Sequence, residues 1–307
     1  MFRRSYQPVD YLLLLALSAI WGSSFLFIKI SVATIPPMTL TAARLILAAL
    51  GLLPFLWATG RRLPREARIW WDFSVVAFIG NLVPFYLIGW GETTIDSGLA
   101  AILMATMPLA SVVLAHAFTK DDRLTLGKVM GMLAGFSGIV VLVGPYALAG
   151  LGREVAAQLA VAVAASLYAV TNVYTRNSRL RDLHPVVNGS GVLLCAAVMA
   201  LPLSLALDRP WALKPSTDSL LALLVLAWLC TSLAYLILFR LISTTRVTFA
   251  ALLNYLIPVF GVLWGAALLG EALRAEALGA LGLILFGIAL AQAKGKTKDD
   301  ASASRGP

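Results

Sequence analysis

In this 307-residue chain the side chains with chemistry to offer lie inside long apolar runs, a few to each run. One run holds Trp21, Ser23 and Ser24, and another holds Phe78, Asn81 and Phe85. Further runs hold Met104, then Tyr168 and Asn172, then Trp228, Ser232 and Tyr235, then Asn254 and Tyr255. Aromatic faces interleaved with hydroxyl and amide groups suit the binding of a small molecule with an apolar body and a polar end. An amide in hydrocarbon is costly without a partner, which predicts that Asn81, Asn172 and Asn254 face inward. Plainer uses exist beside these: an amide can tie two helices together, and Phe85 and Met104 can simply fill space. Arg44 is a cation within a run, and burying it costs roughly 3 kcal/mol without compensation. It therefore meets a ligand, or bonds free carbonyls or an acid at the membrane face.

Several chemistries are excluded. Two cysteines, Cys195 and Cys230, and two histidines, His116 and His184, are scattered and make no metal-ligand set, so neither a metal nor any other cofactor is expected. No glycine-rich phosphate loop is present. The nearest approach to a serine nucleophile with a base is Ser137, in Gly135-Phe136-Ser137-Gly138, with His116. The glycine spacing there fits helix packing better than catalysis.

These residues must be positioned by membrane helices. Sixty per cent of the chain is hydrophobic and only 13% is charged, against roughly 25% charged in soluble domains. About 20 apolar residues cross a bilayer core, and ten such stretches occur, near 11–33, 38–58, 71–91, 97–118, 126–145, 155–176, 185–207, 218–239, 247–269 and 276–293. The run from Tyr11 is too long for a cleaved leader, so it reads as a retained span. Pro84, Pro108 and Pro258 fall mid-run, where each frees a carbonyl and permits a hinge. The net charge of +9 follows topology rather than a nucleic-acid patch. With the N-terminus inside, 18 of the 24 basic residues lie in inside segments, among them Arg3, Arg4, Arg61, Arg62, Lys120, Arg123, Lys128, Arg246 and Lys294, whereas only Arg153, Arg209, Lys214 and Arg274 lie outside. Both termini are thus expected in the cytoplasm.

The chain repeats itself. Ala100-Ala101 and Pro108 align with Ala250-Ala251 and Pro258 at a constant offset of 150, each followed by an apolar run and an acid, Asp122 or Glu271. Trp21 to Lys29 lies over Tyr168 to Arg176 at an offset of 147, aromatic on aromatic and cation on cation. The expected division is a first five-helix unit at 1–148, a second at 149–293 and a disordered tail at 294–307. Five spans per unit force the units into opposite orientations. The predicted fold is therefore an all-α membrane protein of ten transmembrane helices, two inverted repeats around a central cavity. That architecture suits alternating access.

The order of these features, with Ile20-Trp21-Gly22-Ser23-Ser24-Phe25, Ala43-Arg44-Leu45 and Leu269-Gly270-Glu271, resembles the drug/metabolite transporter superfamily and its EamA-type ten-helix exporters over residues 11–293. The group includes a bacterial exporter of aromatic amino acids. The resemblance implies a basket-like cavity lined by spans one, three, four, six, eight and nine. Spans five and ten would pack at the periphery through Gly127, Gly131, Gly135 and Gly138 and through Gly279, Gly282 and Gly287. It implies export of aromatic or amphipathic amino acids and related metabolites across the bacterial inner membrane. The partners implied are a small-molecule substrate and membrane lipid, with no nucleic acid. The glycine faces could serve internal packing or a dimer, so a monomer or weak homodimer is expected. Glu92, Asp96, Asp122 and Glu271 all fall near span ends, and proton-driven carriers commonly place a carboxylate in the pathway. Facilitated export down the substrate's own gradient is the resulting expectation. A carrier of drugs, nucleotide sugars or sugar phosphates is the first alternative and an intramembrane enzyme the second. An uncharged, aromatic cavity argues against strongly anionic cargo.

Overall fold

A computed structural model of the chain describes residues 7–118, 126–148, 152–245 and 247–292. Asp122, the basic residues Arg3, Arg4, Lys120, Arg123 and Arg246, and the 294–307 tail lie outside the described residues, as do the side chains of His116 and Lys128. All regular structure among the described residues is helical: α1 (Pro8–Val32), α2 (Pro37–Ala58), α3 (Ala67–Ala77), α4 (Val83–Glu92), α5 (Ser97–Met104), α6 (Met107–Phe118), α7 (Leu126–Leu148), α8 (Arg153–Asn177), α9 (Pro185–Leu207), α10 (Thr217–Ala227), α11 (Ala234–Thr244), α12 (Val247–Ala250), α13 (Leu253–Leu269) and α14 (Ala275–Gln292), with short 3-10 turns between some. A π-helical turn, Phe78–Leu82, joins α3 to α4, and a second, Trp228–Leu233, joins α10 to α11. Together these make the ten predicted spans. Seven are long and apolar enough by themselves to cross a membrane, and shorter apolar stretches, among them Val129–Gly138, Leu253–Leu269 and Ala275–Leu290, fall in three others.

The bundle is an integral membrane protein turned to its solvent. Leu50, Phe136, Val198 and Phe286 stand exposed along the helices, where only lipid would cover them. Trp57 and Trp71 near the end where α1 begins and α14 finishes, and Trp211 at the opposite, far end, are exposed as interfacial tryptophans should be.

The helix pairing obeys the inverted repeat. Spans one and nine pack together, and so do their counterparts six and four, as α1 on α13 and α8 on α6. Span one meets span eight through α10, and span six meets span three through α4. Three spans pair with their own counterparts: α2 with α9, α5 with α13, and α7 with α14. The last pair stands at the periphery, as expected of spans five and ten. Part of their small faces meets there. Gly279 and Gly282, expected to pack as well, have nothing within 4 Å of a Cβ. By contrast, a Cβ on Gly287 would lie 2.5 Å from the Gly131 carbonyl and 2.6 Å from the Gly135 amide, while one on Gly138 would lie 2.8 Å from Ile284. Backbone this close leaves no room for a side chain. Gly287→Leu is accordingly expected to cost 3 kcal/mol or more, roughly the scale of severe overpacking, read as a lower unfolding midpoint in detergent.

Both ends are tied across the halves. At the far end the Glu271 carboxylate accepts from the amides of Ser97 (2.8 Å) and Gly98 (2.9 Å), capping α5. Gly270 makes this reach available, because its left-handed φ of 66° ends α13 and turns Glu271 back over it. Asp208 does the same for α2, accepting from the Thr39 amide at 2.7 Å, and the Thr34 hydroxyl donates to Ser219 Oγ at 2.7 Å. At the terminal end, Asp72 accepts from Tyr174 (2.8 Å) and pairs with Arg179 (3.0 Å).

Candidate functional site

The two π turns sit at equivalent places in the repeat, offset by 150, so Phe78 answers Trp228, Asn81 answers Thr231, and Phe85 answers Tyr235. Each turn has its own local cause. In the first, Pro84 supplies no amide and the ladder slips to i→i−5 bonds such as Val83 N–H to the Phe78 carbonyl. In the second, no proline is involved. Hydroxyls take over instead: Thr231 Oγ1 donates to the Leu226 carbonyl at 2.8 Å, and Ser232 Oγ to the carbonyls of Ala227 (3.1 Å) and Ala48 (3.0 Å). Widened turns aim side chains inward that a regular helix would spread over two faces, and such turns gather at functional sites.

Arg44 of α2 lies between them. It is only 7% exposed. Its Nε donates to Thr231 Oγ1 at 3.0 Å, and its guanidinium carbon stands 3.9 Å over the centroid of the Phe85 ring. Tyr235 OH donates to Asn81 Oδ1 at 3.3 Å. Tyr168, Tyr235, Cys230 and Glu92 are the titratable groups around Arg44. Among the described residues no carboxylate stands within ion-pair distance of it. Tyr168 bridges two packed clusters, one holding Met104 and Tyr255, the other Phe85 and Tyr235. The result is a buried aromatic cluster around one cation, a pairing of chemistries that suits an anionic group and an aromatic body together.

Other expected site residues fall around this core. Ser23 and Ser24 are buried, both donating to the Ile20 carbonyl (2.8 and 3.5 Å), and Ser23 Oγ is 3.7 Å from Cys230 Sγ. Trp21 is half-buried on the side of α1 that packs with α11 and α13. Asn254 is half-buried and Asn172 is exposed, and neither forms a side-chain hydrogen bond among the described residues. Of the three amides, then, Asn81 has the protein partner that burial demands. Phe78 and Trp228 are 49% and 51% exposed, and no hydrogen bond or ring contact joins them to the Arg44 group. Pro84 follows its π turn directly. Pro108 sits just beyond the break at Ala105–Thr106, whereas Pro258 lies within α13 and the break in its span comes earlier, at Ala251–Leu252.

Two residues escaped the sequence reading. Thr231 could have been found by extending the repeat from spans four and nine back to three and eight, where it answers Asn81. Glu92 was assigned to a span end, which it is, but nothing in its neighbours signals that it is fully buried. The serine–histidine idea gains nothing: Ser137 is exposed and donates to the Leu133 carbonyl of its own helix at 2.9 Å.

Comparison with known proteins agrees with this architecture. The model of the EamA-like transporter family matches the chain twice, at residues 9–144 and 155–292. The inner membrane transporter YedA of Escherichia coli is 29% identical over 286 residues, covering 90% of this chain and 88% of its own. The transporter YoaV of Bacillus subtilis is 23% identical over 90% of this chain and 94% of its own length. A Salmonella typhimurium protein described as a probable amino-acid metabolite efflux pump is 27% identical over 91% of this chain and 93% of its own. One crystal structure superposes with a TM-score of 0.66, covering 94% of this chain and 98% of that one at 21% identity, a likeness of fold alone.

Proposed function

From the premise that this chain belongs to the EamA-like transporter family, we propose that it exports amino acids with aromatic or other large apolar side chains, and related metabolites, by alternating access. The observation that carries the reading is Arg44: a buried guanidinium among tyrosine and phenylalanine side chains, with no carboxylate among the described residues paired to it. Leaving such a charge unpaired is costly. A substrate α-carboxylate would supply the missing partner, and bidentate geometry suits a guanidinium to it. Phe85, Tyr168 and Tyr235 would take the apolar side chain. Hydroxyl and amide oxygens, Asn81 and Ser23 among them, would accept from the ammonium group.

The two π turns, one in each half, are the natural place for the halves to move against each other, with Pro84, Pro108 and Pro258 as hinges. The positive-inside bias supports both termini in the cytoplasm, and the likeness to an inner membrane transporter of Escherichia coli supports the bacterial inner membrane. The basket of six spans requires no second subunit, so a monomer suffices. The chain transports and does not catalyse on this reading, and it uses no cofactor.

The test is counterflow in proteoliposomes with radiolabelled tryptophan, phenylalanine and lysine. Saturable exchange of the two aromatic amino acids, with lysine slower, supports the reading. Exchange of lysine alone, or of none of the three by folded protein, overturns the substrate class.

A further inference from the structure

Glu92 ends α4 at the far end of the bundle, and it is unusual among the carboxylates described. It is 0% exposed, and neither of its carboxylate oxygens has a hydrogen-bond partner. The other acids at span ends are occupied or wet: Glu271 accepts from two amides, Asp208 from Thr39, and Asp96 is exposed. An ionised carboxylate in such a place has nothing to replace its lost water, so it is far costlier than the neutral acid.

Lys29, the basic residue bonded at this helix end, is engaged with carbonyls and not with the Glu92 carboxylate. Lys29 of α1 directs its ammonium at the carbonyls of Glu92 (2.8 Å) and Ile95 (2.7 Å), closing the carboxyl end of α4. The groups that act on Glu92 electrostatically are Lys29, Glu271 beyond α13, and Arg44 of α2. From α8 the packing is tight and apolar, since a Cβ on Gly91 would lie 2.7 Å from Val161 and 3.1 Å from the Ala157 carbonyl, while Arg153 and Glu154 of that helix are exposed. Two more buried oxygens at this end lack partners, Ser97 Oγ and Gln158 Oε1.

We propose that Glu92 is the proton-carrying residue of the transport cycle, protonated while the far end is fastened by the hydrogen bonds seen here and deprotonated when that end opens. This rests on the transporter reading and replaces facilitated export with proton-coupled antiport. The balance is simple. The carboxyl O–H bond breaks inside, releasing the proton there, and reforms with a proton taken from outside, so one proton enters per cycle and nothing is oxidised. When Glu92 is ionised, Lys29 is the cation near enough to leave its two carbonyls for the carboxylate. That exchange would unfasten the end of α4. Each protonation state thus favours a different arrangement, which is what coupling requires.

The experiment has two arms. In the first, purified wild type and Glu92→Gln are compared by infrared difference spectroscopy between pH 5 and 9, which needs no substrate. A buried protonated-carboxyl band present in wild type and absent in the variant is expected, and its absence from wild type overturns the proposal even if transport succeeds. In the second, proteoliposomes carrying either protein are tested for tryptophan counterflow at equal pH and for accumulation driven by an imposed pH gradient. The variant, neutral at every pH, favours the fastened far end, so it should exchange at least about tenfold more slowly than wild type and lose gradient-driven accumulation, and exchange at the wild-type rate would overturn the proposal. Retained accumulation in the variant, or wild-type accumulation that follows sodium instead, overturns proton carriage at Glu92. Absence of counterflow in wild type counts against the substrate class and leaves the spectroscopic arm to decide the proton site. Should Glu92→Gln fail to fold, Glu92→Asp takes its place, with its carboxyl band expected to shift.

Discussion

Arg44→Ala is expected to weaken tryptophan binding at least about 100-fold, ~2.8 kcal/mol, the scale on which removing one partner of a buried charge pair is felt. The variant loses the hydrogen bond to Thr231 and the face of Phe85 as well. It should nevertheless fold, because an unpaired buried cation costs stability that alanine returns. Arg44→Lys separates charge from geometry. Lysine keeps the cation but has neither the flat face that stacks on Phe85 nor the fork for a carboxylate, so roughly a tenfold loss is expected. Equilibrium binding on wild type and both variants checks the series. Equal affinity across the three would remove Arg44 from the site.

Glu271→Ala should be the most damaging change to a carboxylate at a span end. Its side chain satisfies two amides at the start of α5, and those amides are otherwise without partners. Each stranded donor costs about 1–3 kcal/mol, so a loss of roughly 2–5 kcal/mol is expected, with a fall in the unfolding midpoint. Glu271→Gln keeps an acceptor and should lose about half as much. Because the bond joins the two halves, Glu271→Ala should also raise the reactivity of a cysteine placed at Ser97 toward a membrane-impermeant thiol reagent. An unchanged midpoint and unchanged labelling would show that the cap contributes nothing.

Much of the fold was legible because membrane helices announce themselves. Hydropathy runs placed the ten spans, and the Ala-Ala to Pro spacing revealed the repeat that the helix pairing obeys. Small residues marked spans five and ten as packing helices without naming the partner: Gly287 and Gly131 meet at a distance only glycine admits, whereas Gly279 and Gly282 face open space. The π turns were not legible. Pro84 hinted at one of them. The other depends on Thr231 and Ser232 reaching back five residues, and a hydroxyl's choice of carbonyl is not written in residue type. For the same reason Arg44 was recognised as costly, yet its partners were not foreseen: a ring from span three and a hydroxyl from span eight meet it only in three dimensions. The exposed Phe78 and Trp228 show the converse. Composition marks them as binding residues, but position at the start of each π turn leaves both about half uncovered. Glu92 was read from its place in the sequence, where a span end suggests water, whereas it is fully buried.

The central claim is that the Arg44 chamber recognises the carboxylate and the aromatic body of one molecule together. Its most direct test is binding of tryptophan and of tryptamine, which lacks only the carboxylate, to purified protein in lipid nanodiscs. The account predicts saturable tryptophan binding, displaced by phenylalanine, with tryptamine at least about 100-fold weaker. Equal binding of the two, or tighter binding of tryptamine, would contradict it.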